Sequence, residues 1–225
     1  MSTVSPPSPE GTVDPATQHT RRRYDLIAPI YDWMEGLVER GRYSHWRAEL
    51  WAQVRGPRVL EVGVGTGKNI PYYPSHVQVT AVDLSPAMLA RARRRAAQHP
   101  DKQVELHLMD VQRLTFPDNT FDEAVATFVF CSVPDPVQGL RELYRVVRPG
   151  GRLLMLEHML ADPPWLAWIM QRLDPLVHWL IGVHIARRTV DNVRAAGWAI
   201  DQVVPLSPGN IFRRIVAHKP GEPSS

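Results

Sequence analysis

RVLEVGVGTG, running from Arg58 to Gly67, is a short β-rich stretch that ends on alternating glycines. Arg58 to Val62 reads as a buried strand, and Gly63, Gly65 and Gly67 let the backbone turn sharply and a ligand approach with no Cβ in the way. In open α/β sheets ligands sit beyond the carboxyl ends of the strands, at the switch point of the strand order, so this loop marks a cofactor site. The spacing narrows the choice. The dinucleotide fingerprint G-x-G-x-x-G is met at Gly63 and Gly65, but its last glycine falls on Lys68. A phosphate loop fails as well, because Val62 stands where its first glycine belongs and Asn69 follows the lysine.

Working outward, Val77 to Val82 is a second strand closed by Asp83, about twenty residues beyond the first glycine, where a carboxylate bonds ribose hydroxyls. Pro86 to Gln98 reads as a helix capped by Ser85. Val104 to Met109 is a third strand, followed by Asp110, which can accept from the exocyclic amine of adenine while Val111 donates its backbone N–H. Three successive strand ends therefore offer a nucleoside site. Phe121 to Phe128 and Arg152 to Leu156 are further strands, with Pro136 to Val147 a helix between them. Strands alternating with helices of about a dozen residues imply parallel βαβ units and an α/β sheet covered on both faces. At the C-terminal end, a helix from Val190 to Ala196 precedes strands Ala199 to Val204 and Ile211 to Ala217, joined by a turn at Ser207 to Asn210, a pattern of an antiparallel hairpin.

At 225 residues and 44% hydrophobic, the chain suits one domain with a real core. Residues 1–20, rich in proline and serine, read as a disordered tail, 21–220 as a single domain, and 221–225 as a second tail. Within the domain, residues 21–55 form an N-terminal helical lid in which Ile27, Ile30, Tyr31, Met34, Leu37 and Val38 recur at helical steps. The single cysteine, Cys131, and the lack of a signal-peptide pattern point to the cytoplasm. A formal charge of +3 is too small for a dedicated nucleic-acid binder. The oligomeric state is not legible.

The motifs LEVGVGTGKNIPYYP (Leu60 to Pro74), VDLSPAML (Val82 to Leu89), FCSVPDPVQGLRELYRVVRPGG (Phe130 to Gly151) and LEHM (Leu156 to Met159), with YDLIAPIYDWMEGLVERGRYSHWR from Tyr24 to Arg47, resemble class I S-adenosylmethionine-dependent methyltransferases. The resemblance is to the quinone-methylating type and its relatives, bacterial phospholipid N-methyltransferases and methyltransferase-like thiol methyltransferases. It implies a Rossmann-like seven-stranded, mostly parallel sheet of order 3-2-1-4-5-7-6, with strand 7 antiparallel and helices on both faces, and S-adenosylmethionine as cofactor. By position it implies that Gly63, Gly65 and Gly67 lie against the methionine part of the cofactor, that Glu61 holds its amino end through water or directly, and that Asp83 holds the ribose. Asp110 and Val111 would frame the adenine, Met88 would cover it, Phe128 would line the pocket, and Thr66 and Leu84 join this cofactor-binding set. Tyr31 would sit near the methyl donor.

Methyl transfer from a sulfonium is a displacement in which positioning supplies much of the rate, so neither a nucleophile nor a metal is required of the protein. An acceptor that arrives protonated needs a base, and Tyr31, His158 and His45 are the candidates, Tyr31 and His158 foremost. Cys131 reads as a buried small side chain. The acceptor clue is the apolar helical insert of residues 163–186, where Trp165, Trp168 and Trp179 stand among leucines and isoleucines but Arg172, Asp174 and Pro175 interrupt. It is too broken to span a bilayer, and reads either as core helices or as a lipophilic acceptor gate with a peripheral membrane contact, favoured by Arg187, Arg188, Arg213 and Arg214 nearby. The expected reaction is methylation of a small lipophilic acceptor, first a phospholipid head-group amine, then a quinone precursor ring carbon, then an alkyl thiol. A nicotinamide dehydrogenase and a non-catalytic nucleoside-binding module are the rival readings.

Overall fold

The computed structural model describes residues 15–25, 41–181 and 183–221. Seven strands form one sheet in the order β3-β2-β1-β4-β5-β7-β6, as expected. They are β1 (Arg58–Val62), β2 (Gln78–Asp83), β3 (Gln103–Leu108), β4 (Phe121–Thr127), β5 (Val147–His158), β6 (Ala199–Pro205) and β7 (Phe212–His218). β1 to β5 pair in parallel, and β7 runs antiparallel to both β5 and β6, so the C-terminal hairpin closes the sheet. β1 and β4 lie at the centre and are almost wholly buried, which is why their sequences are near-continuous apolar runs.

Around the sheet lie α1 (15–25), α2 (Arg42–Trp51), α3 (Pro86–Ala97), α4 (Pro136–Val146), α5 (Pro164–Ile181) and α6 (Thr189–Ala195). One layer packs Leu50 and Trp51 of α2 and Leu89 and Ala92 of α3 against Val59, Val79 and Val125. The other packs Leu140 and Leu143 of α4 and Val193 of α6 against Leu60, Ala124 and Leu153. Each fully buried Leu or Val contributes about 1.5–3 kcal/mol. Ser85 caps α3 as its sequence predicts, its Oγ accepting from Met88 N at 3.1 Å, and Asp135 caps α4 by accepting from Gln138 N at 2.9 Å.

One expectation is corrected, and one open alternative is narrowed. Residues 15–20, read as tail, belong to α1. Thr17 is buried, its hydroxyl donating to Asp110 Oδ2 at 3.4 Å and accepting from Gln112 Nε2 at 3.1 Å. These partners lie more than ninety residues away, so local composition does not reveal them. The insert, for which core helices were one reading, holds one helix whose face is mostly outside the core. The helical pattern read from Ile27 to Val38, with Tyr31, lies outside the described residues.

Candidate active site

The strand order reverses between β1 and β4, and the loops that leave their carboxyl ends diverge to open a cleft, where open α/β sheets hold their ligands. The floor is the glycine loop. Gly63, Gly65 and Gly67 all have positive φ, of 65°, 56° and 81°. Their missing side chains serve three different ends. A Cβ on Gly63 would stand 2.5 Å from Val129 Cγ2, so this glycine lets the two loops touch. A Cβ on Gly67 would stand 2.7 Å from Ile70 Cδ1 and 3.1 Å from Ala92 Cα, so this one lets the loop pack on α3. At Gly65 nothing but the Gly63 carbonyl, at 4.0 Å, is near, and the vacant side faces a cleft a ligand can enter.

Of the residues expected at the cofactor, Gly63, Gly65, Thr66, Asp83, Leu84, Met88, Asp110, Val111 and Phe128 line this cleft. Asp83 does more than present a carboxylate. Its Oδ2 accepts from Gly65 N at 2.8 Å and its Oδ1 from Ser85 N at 2.9 Å, so it fixes the glycine loop, while burial raises its pKa against those bonds. Asp110 Oδ1 accepts from Gln112 N at 2.9 Å.

Glu61 and Gly67 do not line the cleft. Glu61 is buried behind it, with one carboxylate oxygen accepting from the Tyr73 hydroxyl and the other from Asn69 Nδ2 at 2.5 Å. Burial pushes its pKa up to about 7, against the lowering effect of the Tyr73 and Asn69 bonds. Asn69, which does line the cleft, also donates to Thr127 Oγ1 at 3.1 Å and accepts from Arg47 Nη1 at 2.9 Å. Glu61 thus stands one residue back from the cleft, behind Asn69.

His158 does not line the cleft either. It packs edge-on against Phe212, 5.2 Å between ring centres, and Phe212 in turn packs on Phe128, so the histidine is one ring behind the cleft wall. Register explains this, since His158 pairs with Phe212 across β5 and β7. Burial lowers its pKa. His45 is exposed and pairs with Glu49 at 3.2 Å on α2, and the Cys131 thiol is buried and pushed up to about 12, as an inert side chain is.

Several cleft residues were not singled out from sequence. Tyr24 reaches in from α1, its hydroxyl 2.5 Å from Ser132 Oγ, and Asp25 Oδ1 accepts from the capping Ser85 at 2.5 Å. Glu157 is fully buried at the end of β5. Its Oε1 accepts from Val129 N at 3.0 Å and Phe130 N at 3.2 Å, which holds the turn where Phe128 adopts φ 57°, a conformation costly for a non-glycine residue. Burial raises Glu157 to about 7. Nothing in the spacing of LEHM announces that clamp, because it depends on the β4–β5 pairing.

Open space over Gly65, carboxylates at the ends of β2 and β3, and apolar Leu84, Met88 and Val111 between them fit the amino-acid, ribose and adenine parts of a nucleoside-bearing cofactor. Fold and site together define a class I, Rossmann-like S-adenosylmethionine-binding enzyme. The family model described as "Methyltransferase domain" matches residues 60–155, and the chain belongs to that family. It is 38% identical over 187 residues, 81% of this chain and 89% of the relative, to a phosphatidylethanolamine N-methyltransferase of Cereibacter sphaeroides. It is 36% identical over 182 residues, 77% of this chain and 69% of the relative, to a demethylmenaquinone methyltransferase of Symbiobacterium thermophilum. Among solved structures the fold is similar to the [4+2]-cyclase SpnF, with a TM-score of 0.73, 20% identity, and 94% of this chain and all of that one covered. The protein is an S-adenosylmethionine-dependent methyltransferase.

Proposed function

We propose that the acceptor is the head-group amine of a phospholipid presented at a membrane surface. The observation that carries this reading is α5. Trp165, Trp168, Leu176 and Trp179 recur at helical steps and are 67%, 57%, 53% and 70% exposed, a largely apolar face interrupted by Arg172, whose guanidinium lies over the Trp168 ring at 5.0 Å. No helix among the described residues is long and apolar enough to cross a membrane, so this face would lie on a bilayer rather than in it. α5 is tied to the donor site through Arg23 of α1, which donates to the carbonyls of His178 at 2.8 Å and Trp179 at 2.7 Å one residue before Tyr24 enters the cleft. A lipid on α5 is thereby brought beside the donor. The similarity to a phosphatidylethanolamine N-methyltransferase supports the same acceptor.

When bound, S-adenosylmethionine supplies an electrophilic methyl group. The protein's part is positioning: the glycine loop and Asp83 seat the amino-acid and ribose parts, Asp110, Val111 and Met88 the adenine, and the Phe128 turn sets the wall toward the acceptor. A ring carbon of a quinone precursor is the second reading, favoured by the demethylmenaquinone methyltransferase similarity. The test is to incubate the enzyme with methyl-labelled donor and vesicles of phosphatidylethanolamine, or with a demethylated quinone, and to find which product carries the label. Label in the quinone alone would overturn the phospholipid reading.

A further inference from the structure

A second cavity, open to solvent, lies between the segment that follows β5 and the segment that leads into α6. Its wall is cationic. Arg187, Arg188 and Arg213 line it, opposed by Asp162, already paired with Arg213, and by Asp191, which pairs with Arg194 at 3.5 Å. Two polar atoms on its lining residues are buried without a hydrogen-bond partner, Nε of Arg187 and Oγ1 of Thr189, and Thr189 is only 1% exposed. Buried donors left unpaired cost about 1–3 kcal/mol each, so their concentration on one wall calls for a ligand that accepts hydrogen bonds.

We infer that this cavity binds a phosphoryl group, the phosphodiester of the acceptor, through Arg187, Arg188 and Thr189. Guanidinium forks and a hydroxyl are the donors that suit a tetrahedral anion. One hydrogen bond links the linings of the two cavities, since Arg187 Nη2 donates to Val133 O at 2.9 Å and Val133 lines the donor cleft. The cavity also touches the start of the lipid-facing helix, since Asp162 of its wall is two residues from Pro164, where α5 begins. A phosphodiester here would have its amine side toward the donor cleft and its lipid side toward α5. The identity of the phosphoryl group as part of the acceptor rests on the phospholipid reading. Binding of a phosphoryl group as such does not.

The test is a titration of the full chain, saturated with S-adenosylmethionine, with glycerophosphoethanolamine, inorganic phosphate and ethanolamine, followed by phosphorus or proton NMR. The first two should bind and ethanolamine should not. Arg188→Gln, at an exposed position that spares the fold, should weaken both by about tenfold, and Thr189→Val should weaken them less, with donor affinity unchanged. In parallel, Arg188→Gln should raise the KM for phosphatidylethanolamine vesicles and leave kcat nearly alone. No phosphate binding by the parent chain, or binding that both variants leave intact, overturns the site. Phosphate binding that the variants weaken, while transfer to vesicles is untouched, shows a phosphoryl site apart from the acceptor and overturns the acceptor assignment. Phosphate binding weakened as expected, with the methyl label found only in the quinone, leaves the site standing and removes the phospholipid reading instead.

Discussion

The protein keeps a buried glutamate behind each side of its active site, and the two are treated differently. Glu61, behind the donor loop, has both carboxylate oxygens satisfied, by Tyr73 and Asn69. Glu157, behind the acceptor-side turn, holds two backbone amides with one oxygen and leaves Oε2 unpaired. The pattern is wider than two residues. Of six buried side-chain polar atoms without a partner among the described residues, five lie in β5, β7 or the segment entering α6, on Glu157, His158, Arg187, Thr189 and Arg214. On the donor side only Trp51 Nε1 lacks a partner, whereas the side built on β5 and β7 carries several polar groups whose partners the chain does not supply. That is the difference between a preformed pocket and a surface that a ligand finishes.

The largest effect that would sharpen this contrast is in the pH dependence of stability. Burial raises both glutamates to about 7, so between their ordinary value of 4.5 and about 7 the folded state binds more protons than the unfolded state. Their contribution is therefore fully present below pH 4.5, is lost as pH rises to about 7, and is flat above. The ceiling is roughly 3 kcal/mol per group. Carboxylates held below their ordinary value, such as Asp122 and Glu142, act at lower pH and do not enter this window. His158 and His178, held below their ordinary 6.5, act in the opposite sense over part of this window, so the glutamates' loss is read as the share of the pH 5 to pH 8 change that Glu157→Gln and Glu61→Gln each remove in denaturant unfolding. A Glu157→Gln variant with the whole drop intact would show that its lone oxygen is not the strained one.

Next in size is Gly65→Val. A β-branched residue at φ 56° is strained and its side chain would enter the cleft, so donor affinity should fall by about a hundredfold, or ~2.7 kcal/mol, while phosphate binding in the second cavity persists. Calorimetry showing parent-like donor affinity would break the division into two halves. Asp83→Ala should cost about tenfold in the same measurement, because it removes the ribose acceptor and frees the Gly65 amide that it fixes. A loss below about threefold, under 1 kcal/mol, would reduce Asp83 to a loop brace. The smallest effect concerns α5. Replacing Trp168 and Trp179 by serine should weaken vesicle association and transfer by a few-fold without moving donor affinity, and the loss should survive high salt because apolar area is not screened. Loss of donor affinity as strong as loss of transfer would make α5 a structural element of the donor half.

The donor half was legible from the chain alone. Each strand end, with its glycines or its aspartate, is a short local pattern, and the rule that ligands sit beyond strand carboxyl ends brings them together: Gly63, Gly65, Asp83, Asp110 and Met88 all line the cleft. The βαβ alternation implied parallel pairing, and the sheet order followed from the family resemblance alone. What only the tertiary structure decided is whatever depends on which strand lies beside which. Glu157 clamps the Phe128 turn because β4 and β5 are neighbours, His158 is turned behind Phe212 by its register with β7, and α1 begins inside a supposed tail because Thr17 finds Asp110 and Gln112. The apolar letters of α5 could equally have been core, and only its placement leaves Trp165 and Trp179 exposed. Periodicity tells which side chains share a face, but burial belongs to the partner that face meets, and the sequence of one element does not contain its partner.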